Sequence, residues 1–204
     1  MSRIEPSTEI SHRTDFALLC NARGLVRAVE IGVDQGVNAR DFLSRWTGHQ
    51  LVLVDPYEPH GDIPGATRDV DLMVAVAALA PYYGRTRFFR TTSTNLATHW
   101  PVWIGRPQFI YVDGNHSYEA VVADLEAWWP LVEPTGILAG HDFDSERHPG
   151  VVRAVEEFAA RHGVVVRLTH EAECRSWYIY RTEPPDLIHR FFDASDPVPN
   201  PHAS

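Results

Sequence analysis

The sequence predicts a single α/β domain built on a wound, mostly parallel sheet with helices on both faces, and three observations predict it. Short apolar runs rich in β-branched and aromatic residues alternate with stretches of helical period. The runs end in small and acidic residues, such as Gly32, Asp55 and Asp113, which is where an open sheet of this kind receives ligands. A chain of 204 residues that is 44% hydrophobic has enough apolar material for one domain with a substantial core.

A helix leads the chain, and β-α units then repeat. Arg27 to Ile31 (RAVEI) is a buried strand ending at Gly32, followed by a helix over Val37 to Trp46 with Phe42, Leu43 and Trp46 on one side. Gln50 to Val54 (QLVLV) is a strand stopped by Asp55-Pro56. The loop Pro56 to Gly65, rich in Pro and Gly, is a candidate lid and leads to a helix from about Arg68 to Leu79, closed by Pro81 and Gly84. Thr86 to Arg90 is the third strand, Asn95 to Trp100 a helix, and Gln108 to Val112 (QFIYV) a fourth strand ending at Asp113-Gly114.

Tyr118, Val121, Val122, Leu125, Trp128, Trp129 and Val132 recur at helical steps and give one broad apolar face for packing on the sheet. Pro134-Thr135-Gly136 turns the chain into a fifth strand, Ile137 to Ala139, which runs out into Gly140-His141-Asp142-Phe143-Asp144. Val151 to His162 is helical, with Gly163 as its C-terminal cap. Val164 to Leu168 and Trp177 to Tyr180 are closing strands, expected as a hairpin on the sheet edge, which brings the count to seven. The domain is expected to span residues 1–192, and residues 193–204, with Pro197, Pro199 and Pro201, to form a mobile tail.

Charge and composition narrow the partners. A formal net charge of −9 opposes nucleic-acid binding, which needs many cations to displace phosphate counterions. Two lone cysteines, Cys20 and Cys174, support neither a disulfide scaffold nor a cysteine-based zinc site. Met1 to Thr14 is polar and the longest apolar run, Leu72 to Ala80, is too short to cross a bilayer, so no membrane partner and a cytoplasmic location are expected.

The strand exits carry the chemistry. Glu30-Ile31-Gly32-Val33-Asp34-Gln35-Gly36 sets two glycines four apart, which permits a tight turn and close approach of a ligand beside a helix N-terminus. Such a segment is also a plain β-α turn. Asp55, at the next strand end, can accept both hydroxyls of an adenosine ribose, or can simply form a turn before Pro56. The dinucleotide pattern G-x-G-x-x-G is absent, because Asp34 takes the middle glycine position and would set a negative charge near a pyrophosphate. That charge suits a cationic ligand bearing an amino acid, such as S-adenosylmethionine, which has a sulfonium, an ammonium and no phosphate.

On these residues the chain resembles the class I S-adenosylmethionine-dependent methyltransferases, in particular a small bacterial subgroup related to sugar and macrolide O-methyltransferases. The matching segments are V-E-I-G-V-D-Q-G (Val29 to Gly36), V-D-P-Y (Val54 to Tyr57), Y-V-D-G-N-H-S-Y-E-A-V (Tyr111 to Val121), the stretch Asp124 to Phe143 ending in G-H-D-F, and H-P-G-V-V-R-A-V-E-E-F (His148 to Phe158). The resemblance spans roughly Ala28 to Gly163, with D-G-x-H-x-Y and G-H-D-F as its specific part and Thr135 as a departure from a usual second glycine.

The resemblance implies a Rossmann-like fold, a ribose clamp at Asp55, methionine-end contacts around Glu30, Gly32 and Gly36, and adenine contacts near Thr92 and Ser93, with Asp113 also on the cofactor side. It further implies a divalent metal at Asp113, His141 and Asp142. A histidine in place of one acid makes Mn²⁺ or Zn²⁺ relatively better suited than Mg²⁺.

Methyl transfer is an in-line displacement on a reactive sulfonium, so the protein has to align the acceptor and remove its proton. His116 or His141 could be that base, with Asp113 or Asp142 orienting the ring; alternatively His116 caps the helix at Tyr118 and His141 bonds a loop. His148, before Pro149, is assigned to a loop, and Trp128 and Trp129 to the core. Tyr57, Tyr82, Tyr83 and Trp103 either line an acceptor pocket or are buried.

The expected activity is O-methylation of a small molecule such as a sugar or secondary metabolite, by a monomer or homodimer. Two other readings stand beside it. One is a metal-dependent hydroxylase-like or hydrolytic enzyme centred on Asp113, His116, His141 and Asp142; the other is a non-catalytic cofactor-binding partner protein.

Overall fold

The structure is a computed structural model that describes residues 3–59 and 65–184. The proposed tail at 193–204 and the centre of the proposed lid, residues 60–64, lie outside the described residues. In chain order the elements are β1 (Arg3–Pro6), α1 (Phe16–Ala22), β2 (Arg27–Ile31), α2 (Val37–Arg45), β3 (Gln50–Val54), α3 (Gly65–Leu79), β4 (Thr86–Phe89) and α4 (Ser93–Thr98). They continue with β5 (Phe109–Val112), α5 (Tyr118–Trp128), β6 (Ile137–Phe143), α6 (Pro149–His162), β7 (Val165–Leu168) and β8 (Arg175–Tyr180).

The strands form one sheet in the order β1-β7-β8-β6-β5-β2-β3-β4. β8 runs antiparallel to β6 and β7, and the other pairings are parallel. The fold is thus the mixed α/β, Rossmann-like arrangement expected, with eight strands among the described residues rather than seven. The additional strand, β1, pairs with β7 and takes the sheet edge that the β7–β8 hairpin was expected to hold. Its four residues, Arg-Ile-Glu-Pro, are mostly exposed. An edge strand of that kind buries too little to leave an apolar run in the sequence.

The central strands are apolar on both sides because helices cover both faces. Val29, Ile31, Val52, Val54, Ile110 and Val112 point into a core with α4, α5 and α6. Their alternates Ala28, Leu51, Leu53, Phe109 and Tyr111 point into a second core with α1, α2 and α3. Trp128 and Trp129 are buried in the first core, as expected. Tyr57 is buried, whereas Tyr83 and Trp103 are exposed, so burial does not account for those two.

From β2 the chain winds outward through β3 to β4, then returns to the opposite side of β2 with β5 and β6. The carboxyl ends of β2 and β5 therefore flank the point where the winding reverses, the place where such sheets hold ligands. Gly32 makes that junction possible. Its φ is +81°, and a Cβ there would stand 2.2 Å from the Asp113 carbonyl oxygen. The glycine turn thus rests directly on the exit of β5.

Candidate functional site

Two groups of side chains meet at this junction. The first is built on the β2 and β3 exits. Asp55 is buried, and its Oδ2 accepts hydrogen bonds from the Val33 and Asp34 amides at 3.0 and 3.2 Å. Its Oδ1 accepts from the Tyr57 amide at 2.7 Å. Asp55 thus forms the turn before Pro56 and also ties the glycine turn to the end of β3. A carboxylate offers about four acceptor positions, and the fourth, on Oδ1, is met only by a long contact from Arg68 Nη2 at 3.4 Å.

Facing it is Arg68, from the first turns of α3, which pairs with Asp34 and Asp71 at 2.8 Å each and with Asp55 at 3.4 Å. Nothing in the sequence around Arg68 marked it as part of a site. Glu30 is buried beneath the glycine turn and lines a small pocket with Arg13, Asn38, Phe42 and Tyr111. Burial, with the Asp113 charge adding to it, pushes its carboxyl up to about 8, while Asn38 and the Ala39 amide partly offset the rise.

The expected adenine contacts already have protein partners. The Thr92 hydroxyl caps α4 by accepting from the Asn95 amide at 3.3 Å. Ser93 donates to the carboxylate of Asp124 on α5. Burial raises the Asp124 carboxyl to about 6 against the lowering effect of that bond.

The second group stands on the exits of β5 and β6. β6 runs on through Gly140, His141 and Asp142 to Phe143, so G-H-D-F is inside the strand rather than in the following loop. Its pairing with β8 shifts register between Gly140 and Phe143, and Asp142 adopts φ +59° there. A bulge of this kind re-aims side chains at a sheet rim. A non-glycine residue held in the left-handed region stores strain of order 1–3 kcal/mol, a cost concentrated at functional sites.

Asp142 is the hub. Its carboxylate lies 2.6 Å from His116 Nε2, 3.1 Å from His141 Nδ1 and 3.5 Å from His148 Nε2. Asp113 is 3.9 Å from His116 Nε2. Burial works against the Asp142 charge, but hydrogen bonds from His116 and His141 outweigh it and hold the carboxyl well below the usual carboxylate range. The Asp113 and Asp142 carboxylates together push His116 up to about 9. His116 in this arrangement holds a proton at neutral pH. It must shed its proton before it can accept another.

Asp113, His116, His141 and Asp142 are brought together as the sequence suggested. The helix at Tyr118 is capped by Ser117, not by His116. His148 is the loop residue expected, at the N-cap position just before α6, and its ring lies tilted by 44° against His116 with centroids 4.6 Å apart. Pro149 at the first helical position was the available signal, since it fixes the helix start at the exit of β6.

Ligand atoms of Asp113, His141 and Asp142 lie within 4.8 Å of one another, as do those of Asp142, His148 and Cys174. Two carboxylates and an imidazole fit a divalent cation. The second trio shows that Cys174, although unpaired with Cys20, stands beside borderline-soft metal ligands.

Comparison with known proteins bears on this geometry. A family model described as a methyltransferase domain matches residues 29–143, more than half of the 204-residue chain. The chain belongs to this methyltransferase-domain family. No curated protein sequence matches it.

Among solved structures, the O-methyltransferase TomG from Streptomyces achromogenes, involved in tomaymycin synthesis and solved with SAM, aligns with a TM-score of 0.64 and 14% identity, over 84% of this chain and 79% of that one. An O-methyltransferase from Bacillus cereus in complex with SAH aligns with a TM-score of 0.59 and 16% identity, over 82% of this chain and 80% of that one. A structure named a putative rRNA-methylase from Clostridium thermocellum aligns at 0.60 and 12% identity, over 85% of this chain and 99% of that one. At these identities the likeness establishes the fold. Among the described residues, no helix is long and apolar enough to cross a membrane.

Proposed function

We propose that the chain is an S-adenosylmethionine-dependent O-methyltransferase acting on a small molecule such as a sugar or secondary metabolite. One observation carries the reading: the glycine turn, anchored to Asp55, rests on the β5 exit, and the Asp55 carboxylate and the Asp142 cluster stand at the same edge of the parallel strands. The family match and the SAM- and SAH-bound structural neighbours support the cofactor. The net charge of −9 favours a small acceptor over nucleic acid.

In this reading a ribose hydroxyl takes the Oδ1 position of Asp55 that only the long Arg68 contact fills. The carboxylates of Asp34, Asp55 and Asp113 lend the pocket a field suited to a sulfonium and an ammonium group. S-adenosylmethionine, when bound, supplies an activated methyl group. Asp113, His141 and Asp142 would hold a divalent cation, Mn²⁺ or Zn²⁺ more readily than Mg²⁺, to orient the acceptor oxygen. His141, with Nδ1 on Asp142, would remove the acceptor proton through its other ring nitrogen where no cation takes that nitrogen; where a cation does, the base would be His116 after it has shed its proton.

The same cluster favours a second reading, a metal-dependent hydrolase or hydroxylase that needs no S-adenosylmethionine. Calorimetric titration of the metal-stripped protein with S-adenosylmethionine and S-adenosylhomocysteine, repeated with Mn²⁺, separates the two. Binding of both nucleosides supports methyl transfer; metal-dependent turnover without either supports the second reading.

A further inference from the structure

The Arg68 side chain is 8% exposed and reaches three carboxylates on three segments of the chain: Asp34 in the glycine turn, Asp55 after β3, and Asp71 on its own helix. The contacts are unequal. Nη1 is 2.8 Å from both Asp34 Oδ1 and Asp71 Oδ2, whereas Nη2 is 3.4 Å from each oxygen of Asp55. The fork is anchored at one nitrogen and loose at the other, and the loose side covers the Asp55 carboxylate with contacts long enough for a ligand to displace.

The surroundings reinforce the anchored side. Asp71 also accepts from Gln35 Nε2 at 3.0 Å, so α3 holds two consecutive residues of the glycine turn. The Tyr57 hydroxyl donates to the Asp34 carbonyl at 2.9 Å, and the guanidinium lies 5.3 Å from the Tyr57 ring centroid. Asp34 is held at φ +47° and Tyr57 at φ +49°. The buried Nε–H of Arg68 has no acceptor among the described residues. A buried donor left unpaired is costly, so stability alone does not account for this placement.

We propose that Arg68 is a positioning residue for the nucleoside ligand: anchored by Asp34 and Asp71, it covers the amide-held Asp55 carboxylate with a contact that a sugar hydroxyl displaces, and it keeps the three carboxylates from spreading the glycine turn. The proposal rests on the methyltransferase reading. A hydroxyl arriving at Asp55 Oδ1 replaces only the long Nη2 contact, while the Nη1 anchors stay in place and keep the buried charge compensated. Lysine cannot reproduce this, because a single ammonium lacks the planar fork that spans separate acceptors.

The test is calorimetry of parent, Arg68→Gln and Arg68→Lys with S-adenosylhomocysteine and with its 2′,3′-dideoxy analogue, well below each protein's melting temperature. Arg68→Gln should weaken S-adenosylhomocysteine at least tenfold and the dideoxy analogue by less than threefold, with Arg68→Lys between parent and Arg68→Gln. A purely structural role would weaken both ligands alike, and that result overturns the proposal, as does unchanged affinity in folded Arg68→Gln. Should Arg68→Gln not fold, Asp71→Asn decides: a several-fold loss confined to the hydroxylated ligand supports the assignment, and equal or absent loss removes it. A parent protein that binds neither ligand would defeat the methyltransferase reading itself, and this proposal with it.

Discussion

The two halves of the site hold their central carboxylates in different ways. Asp55, on the β3 side, is fixed mainly by backbone amides from Val33, Asp34 and Tyr57. Asp142, on the β6 side, is surrounded by histidine side chains that can turn away or exchange a proton for a metal. Backbone donors cannot leave without unfolding the turn they belong to, so the first half is preorganised. The second is held by side chains, around an Asp142 whose backbone sits at φ +59°.

The comparison breaks most visibly at Asp55. Asp55→Ala strips three amides of a charged acceptor, and chemical denaturation should show a loss of about 3 kcal/mol or more, since single bonds to charged groups contribute roughly 1.5–3 kcal/mol. Affinity for S-adenosylhomocysteine should fall beyond detection in the same protein. A variant with parental stability and affinity would mean that the glycine turn is held by something else.

Asp142→Ala should behave in the opposite manner, leaving nucleoside affinity nearly intact while removing Mn²⁺ binding. The loss should exceed the roughly 10–100-fold typical of an outer-shell partner. Mn²⁺ titration followed by calorimetry reads this directly. Equal Mn²⁺ affinity in parent and variant would retire the metal assignment.

The smallest effect sharpens the contrast between a carboxylate held ionised and one held towards neutrality. Asp124 has its pKa raised to about 6 from an ordinary value of 3.8, by burial. Between those two values the folded chain binds a proton that the unfolded chain has released, so the Asp124 contribution to stability falls as pH rises through the window. Asp124→Asn has no such proton to lose. It should be more stable than the parent by roughly 2 kcal/mol at pH 7 and nearly equal to it at pH 4, by thermal denaturation across pH. A constant difference at both pH values would contradict the burial of that charge.

Much of this arrangement was legible in the sequence for a physical reason. Strands buried on both faces, such as Gln50–Val54, leave continuous apolar runs, and polar residues at their ends then stand out. Asp55 and Asp113 could be placed at the correct exits from that alone, whereas His141 and Asp142, expected beyond a strand ending at Ala139, lie inside β6. β1 could not be found, because an edge strand of Arg-Ile-Glu-Pro buries little.

Arg68 and Asp71 are spaced as an ordinary solvated ion pair on a helix, and only the return of α3 against the glycine turn buries them. The protonation of His116 likewise depends on Asp113 and Asp142 converging from two strands, which no local pattern records.

The central claim is that the β2–β5 junction receives S-adenosylmethionine, and its most direct test is calorimetric titration of the purified parent protein with S-adenosylhomocysteine, with and without Mn²⁺. The account predicts saturable micromolar binding in both conditions, because the Asp55 half is preorganised independently of metal. Absence of heat and of any thermal shift in either condition would contradict it.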